Sequence, residues 1–300
     1  MAEIVGCLMT SHVPAIGGAI ARGMQQDPYW QPFFHSFDAV HTWLERARPD
    51  TVVIFYNDHG LNFFLDKMPT FAIGAAPEYR NADEGWGLPV LSPFPGDPKL
   101  SWHLVEELVM AGFDMTTCQE MLVDHAFVVP MTLLWPGANA RPVRAVPIAI
   151  NTVQHPLPLA ARCYALGQAV GRAIESYTEE ARVLVLGTGG LSHQLDGQRA
   201  GFINKDFDLM CMQKLVDDPV ALTAYTNREL VEHAGTQGVE VLMWISARAA
   251  LTGPARKVHS NYHIPISNTA AGLLLLEPAA ELSAQARPPA PAFTPAQNQR

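Results

Sequence analysis

Short apolar runs rich in β-branched residues recur at residues 4–9, 51–56, 70–75, 143–150, 183–186 and 272–276. Gly, Pro, Asn or Asp flank them, and this combination predicts strands. Between them, apolar residues fall at helical spacing over residues 37–47, 99–111, 159–177, 204–216, 220–234 and 239–250. The alternation predicts an α/β fold: a single domain with a mixed central sheet flanked by helices. No internal repeat at a fixed short period interrupts it. From Glu277 onward the pattern gives out. Pro278, Pro288, Pro289, Pro291 and Pro295 stand among Ala and Gln, a composition that cannot build a core. The expected division is a catalytic domain over residues 1–278 and a disordered Pro/Ala-rich tail over 279–300.

Composition narrows the functional classes. Hydrophobic residues make up 48% of the 300-residue chain and charged ones 16%, enough to bury a large core. The net charge of −9 argues against nucleic acid or an anionic membrane as main partner. It leaves a small-molecule substrate open, because a basic pocket can sit inside an acidic protein. The N-terminus lacks the basic start and long apolar stretch of a signal peptide, and runs such as 272–276 are too short to cross a bilayer. Cys7, Cys118, Cys163 and Cys211 are scattered with no Cys-x-x-Cys pair, so they read as reduced thiols and the expected location is cytoplasmic.

The chemistry gathers where apolar runs end. Residues 4–9 lead into Thr10-Ser11-His12, and residues 51–56 into Asn57-Asp58-His59. Residues 183–186 lead through Gly187-Thr188-Gly189-Gly190-Leu191-Ser192 to His193, and a weaker case ends at Asp124-His125. Ligands of open α/β sheets bind at the carboxyl edge of the strands, so these imidazoles are placed to meet there. Of the 11 histidines, His35, His41, His103, His155, His233 and His259 read as ordinary surface or satisfied core residues. The repeated placement sets His12 and His59 apart.

Two histidines and one carboxylate on one face leave three coordination positions free, the arrangement of non-haem iron(II) enzymes. Glu240, inside Gly238-Val239-Glu240-Val241-Leu242-Met243-Trp244, is a candidate third ligand. A carboxylate in such surroundings is costly unless paired or metal-bound. An exposed first-turn Glu favoured by the helix dipole explains the same residue equally well. The Gly187–Gly190 stretch lacks the Gly-Lys-Ser/Thr of a phosphate loop and the dinucleotide fingerprint. It reads instead as a sharp turn that lets backbone approach a ligand and exposes His193.

At these residues the chain resembles the type II extradiol ring-cleavage dioxygenases, and within them the protocatechuate 4,5-dioxygenase β-subunit type. The stretches that carry the resemblance are TSHVPAIG from Thr10, YNDHG from Tyr56, PTFAIGAA from Pro69, ADEGWG from Ala82 and VDHAFVVP from Val123. GTGGLSHQLDGQRAG from Gly187, INKDFD from Ile203, GVEVLMW from Gly238 and YHIPISNTAAG from Tyr262 complete the set, in the family's order. The resemblance implies Fe(II) held by His12, His59 and Glu240, with His193 as acid/base and His125 as a second pocket histidine. It places Ser267 and Asn268 near a substrate carboxylate, with the backbone at Gly18 approaching the ligand. The implied reaction is extradiol cleavage of a catecholic aromatic acid by O2. Protocatechuate stands first, giving 4-carboxy-2-hydroxymuconate semialdehyde, with gallate or another catechol acid as the alternative. The expected assembly is an oligomer with a small helical α subunit covering the site. Two other classes compete on the same fold: a zinc metallohydrolase and a non-catalytic binding protein. Retention of all the ligands and of His193 counts against the latter.

Overall fold

The apolar runs pair side by side. In the computed structural model, which describes residues 1–85, 88–137, 143–264 and 269–279, the chain runs in order through the following elements. They are β1 (Ala2–Thr10), α1 (Pro14–Ala21), α2 (Gln31–His35), α3 (Asp38–Ala47), β2 (Thr51–Tyr56), β3 (Phe71–Gly74), β4 (Glu78–Asn81), β5 (Phe94–Pro95), α4 (Pro98–Met110), β6 (Thr116–Cys118) and β7 (Leu122–Val123). Then follow α5 (His125–Leu134), β8 (Arg144–Ile150), α6 (Ala160–Ser176), β9 (Ala181–Thr188), α7 (Lys205–Asp217), α8 (Asn227–Ala234), α9 (Val241–Ala250), β10 (Ala255–His263) and β11 (Ala271–Pro278). The predicted tail, apart from Ala279, lies outside the described residues.

One eight-stranded sheet has the order β10-β11-β1-β9-β2-β8-β3-β6, and a small three-stranded sheet pairs β5-β4-β7. β1, β9, β2 and β8 are mutually parallel, while β11 and β3 run antiparallel to their inner neighbours. The fold is therefore a single α/β domain with a mixed central sheet flanked by helices, as the alternation predicts. Helices cover both faces, which is why the inner strands are apolar throughout rather than alternating with polar residues. Met9, Val53, Phe55, Val146, Ile148, Val183 and Val185 face α4, α6, α7 and α9. Leu8, Val52, Ile54, Tyr56, Leu184 and Leu186 face α1, α3 and α5.

Four parallel strands end at one edge: Thr10, Tyr56, Ile150 and Thr188. Every loop that follows them contributes to the site. Three features differ from the sequence expectation. β9 extends through Gly187 and Thr188, so the glycine turn begins only at Gly189. The single helix predicted over 220–234 is split into a 3-10 turn (Pro219–Ala224) and α8, because Thr226 and Glu229 form a capping box that restarts the helix. His125 opens α5 after a strand of the small sheet, rather than following a strand of the main sheet.

Candidate metal centre

His12 sits two residues past β1, buried, with its Nδ1 3.1 Å from Thr188 Oγ1 at the end of neighbouring β9. His59 sits three residues past β2. The loop carrying it is tied by the Asp58 carboxylate, which accepts from the backbone N–H groups of Leu61, Asn62 and Phe63 at 2.9 to 3.1 Å. Asp124 Oδ2 then takes both the His59 backbone N–H and its Nδ1–H, each at 2.9 Å. With Nδ1 donating to Asp124, Nε2 is the nitrogen turned to Asn57 and Glu240, and its lone pair is the one that a proton or a metal would take.

Glu240 ends a 3-10 turn (Gly238–Glu240) and leads into α9. It is buried, so the exposed first-turn reading is excluded. Its Oε2 lies 3.5 Å from His12 Nε2 and its Oε1 lies 3.6 Å from His59 Nε2. Gly190 N–H donates to Oε2 at 2.7 Å and Asn57 Nδ2 donates to Oε1 at 3.3 Å. The Gly189 backbone, at φ 131°, passes so close that a Cβ there would stand 2.8 Å from Glu240 Cβ. Only glycine allows that approach. A third imidazole joins the group: His12, His59 and His125 each offer a ligand atom within 4.8 Å of the others. The His59 and His125 rings stack at 4.2 Å and 27°.

Electrostatics favours a cation at this spot. Burial opposes charge on His59, yet Asp124 and Glu240 lift its pKa to about 10. Burial likewise opposes charge on Asp124 and Glu240. The His59 imidazole holds Asp124 down at about 2, and His12 and His59 hold Glu240 well below the usual carboxylate range. His12, by contrast, is pushed down by burial, which keeps its lone pair free. The pull that draws a proton to His59 acts equally on a divalent metal, and two imidazoles with a carboxylate are the donor set that iron(II) accepts. The residues thus fit the metal.

Beside the donors lies a cavity of about 810 Å³, lined among others by Gly18, Asn57, His59, His125, His193 and Glu240. The His193 backbone is fixed by N–H donation to Ala234 O and by pairing with Thr269, and its buried Nδ1 has no partner among the described residues. Burial pushes its pKa down. Ser267 and Asn268 lie outside the described residues. Of the histidines read as ordinary, His41 and His103 bond backbone carbonyls and His233 stacks on Phe207. His155 is exposed and lines the cavity. Thr188, Asp124 and Glu84, the partners of the three clustered imidazoles, were not singled out in the sequence, although each lies inside a stretch that carries the resemblance.

A two-histidine, one-carboxylate cluster at the carboxyl edge of an α/β sheet, facing a cavity that His193 also lines, fits a non-haem iron(II) oxygenase site. Residues 6–273 match the catalytic LigB subunit of aromatic ring-opening dioxygenase. The chain belongs to that family and is an oxidoreductase, an extradiol-type aromatic ring-cleaving dioxygenase. It is 41% identical over 196 residues to a gallate dioxygenase of Pseudomonas putida, covering 65% of this chain and 57% of that protein. It is 32% identical to a 2,3-dihydroxyphenylpropionate/2,3-dihydroxicinnamic acid 1,2-dioxygenase of Pseudomonas putida, covering 91% of this chain and 97% of that one. An uncharacterized protein of Escherichia coli K12 shares the fold at TM-score 0.56 and 15% identity, over 90% of this chain and 99% of that one.

Proposed function

We propose that this chain opens the ring of a catecholic aromatic acid, with gallate ahead of protocatechuate as the substrate and His12, His59 and Glu240 as the iron ligands. The observation that carries the reading is the donor cluster seated against the cavity with His193 and His125 in its wall. Gallate takes precedence because the relative sharing 41% identity is a gallate dioxygenase. An acid rather than a plain catechol is supported by Arg22, the one arginine or lysine among the described lining residues.

Iron(II), when bound, supplies the electronic link between a catecholate and dioxygen. The protein's own residues do the rest. His193, neutral at working pH because burial lowers its pKa, accepts a proton from a substrate hydroxyl on its imidazole and returns it later. His125 lines the same pocket, and Gly18 lines the wall with no side chain to crowd the ring.

Val153 and Leu195 line the same cavity yet are exposed, an apolar rim that supports a small helical α subunit as cover. Addition of such a chain is expected to tighten substrate binding and slow iron loss. Equal affinity and equal iron retention with and without it would remove the partner from this account. No described helix is long and apolar enough to cross a membrane. With four free cysteines, a reducing cytoplasmic setting is the expected one.

Side-by-side oxygen uptake with gallate, protocatechuate, 2,3-dihydroxyphenylpropionate and catechol tests the assignment after anaerobic iron(II) loading. Gallate is expected to give the highest kcat/KM and catechol the lowest. A preference for catechol would overturn the acid assignment, and no uptake with any of the four would overturn the function.

A further inference from the structure

The stretch ADEGWG from Ala82 carries Glu84. Glu84 reaches from the loop after β4 to the first residue of α5. Its Oε2 accepts the His125 backbone N–H at 2.6 Å, and its Oε1 lies 2.8 Å from His125 Nδ1. Both oxygens of one rigid carboxylate are thus spent on one histidine. A related clamp occurs beside it, where a single oxygen, Asp124 Oδ2, takes the backbone N–H and Nδ1–H of His59. The two clamped rings stack at 4.2 Å, each with its Nδ1 on a carboxylate, and His59 Nε2 lies 3.0 Å from Asn57 Nδ2 and 3.6 Å from Glu240 Oε1. The clamps differ in setting. The Asp124 side chain is 0% exposed, whereas that of Glu84 is 17% exposed and lines the cavity. The Glu84 loop is seated further on by Leu88, whose side chain occupies the space that a Cβ on Gly17 of α1 would take.

We propose that Glu84 is the positioning residue of His125. A carboxylate only accepts, so it holds the proton on Nδ1 and fixes the ring plane. His125 then presents Nε2, in one orientation, to the oxygens of a substrate in the cavity. The inference rests on the proposed role of His125 as a pocket residue. It goes beyond the ligands and base by assigning a role to a loop residue that touches neither iron nor the reacting atoms.

Glu84→Gln tests it, because an amide has one accepting oxygen where the carboxylate has two, and its NH2 end can only donate, so it no longer dictates that Nδ1 carries the proton. Iron content and KM are expected to stay within about twofold, while kcat falls about 10- to 100-fold, the usual range for a lost partner of a site histidine. Glu84→Asp, which keeps the carboxylate, is expected to recover part of that loss. In the His125→Ala background Glu84→Gln is expected to cost nothing more, since the two residues act as one unit. Additive losses would overturn the proposal. So would a lowered melting temperature with unchanged kcat, which is the result for a mere helix cap. An independent readout needs no turnover. Long-range nitrogen-15 spectra of the full chain loaded with zinc are expected to show His125 as the Nδ1–H tautomer in the wild type. The Glu84→Gln variant is expected to lose that preference. An unchanged tautomer would sink the inference even if catechol cleavage is confirmed. A changed tautomer without cleavage of any catecholic acid would instead sink the proposed function and leave the clamp standing.

Discussion

Glu240→Ala is expected to strip iron from the protein and reduce ring cleavage to background. The carboxylate is the only anionic member of the donor set, and two imidazoles alone hold iron(II) poorly. The loss reaches beyond the metal. Glu240 also accepts from Gly190 N–H and Asn57 Nδ2; the Gly190 N–H loses that partner when it goes, whereas Asn57 Nδ2 still has His59 Nε2 at 3.0 Å. A buried donor left without a partner costs about 1–3 kcal/mol, so the melting temperature should fall as well. Glu240→Gln separates the two effects: its amide oxygen can still accept one bond, but it brings no charge. Metal analysis of both variants, beside oxygen uptake, decides the matter. His12→Ala and His59→Ala are expected to behave like Glu240→Ala. A Glu240→Ala protein with full iron and full rate would refute the ligand assignment. Restoration of wild-type turnover by zinc instead of iron(II) would favour the metallohydrolase.

His193→Ala is expected to do the opposite: keep its iron, bind the catechol, and turn over about 10²- to 10⁴-fold more slowly. That range corresponds to about 2.7–5.4 kcal/mol of transition-state stabilisation. The reason lies in the placement of His193, which lines the cavity while the donor cluster is formed by other residues. His193→Phe should match the Ala variant, because the proton carrier is what both remove. The pH dependence follows from burial, which lowers the His193 pKa below its ordinary value near 6.5. The ring is then neutral and able to accept a proton at pH 7, and the rate falls only as pH drops through that lowered pKa. The acid limb of the wild-type rate profile should therefore lie below pH 6.5, and it should vanish in the Ala variant. Loss of iron together with activity would make His193 a ligand, and an unchanged rate would remove it from the mechanism.

The inner strands were legible because burial on both faces leaves β-branched residues in unbroken runs, and because glycine or a polar residue must follow each one. The same rule exposed the histidines, since the residues just past a parallel strand stand at the binding edge. What escaped was written in weaker code. β10, at the sheet edge, carries Arg256, Lys257 and Asn261, the polar pattern that protects an edge from further pairing. α1 holds Gly17 and Gly18, poor helix formers, and α5 holds Pro130, so tertiary packing rather than propensity makes both helices.

The sequence by itself determined the α/β class, the strand ends that deliver His12, His59 and His193, and the residue types able to bind iron(II). These are local matters of hydrophobic period and short spacing. Tertiary structure alone decided whether Glu240 is buried against two imidazoles or exposed on a helix turn, because that depends on α9 meeting a strand edge far away in sequence. It also decided the carboxylate that each of two histidines bonds. Asp124 serves His59 across 65 residues and Glu84 serves His125 across 41. No periodicity records such pairs, because they form only when parallel strands and the small sheet bring distant loops to one edge.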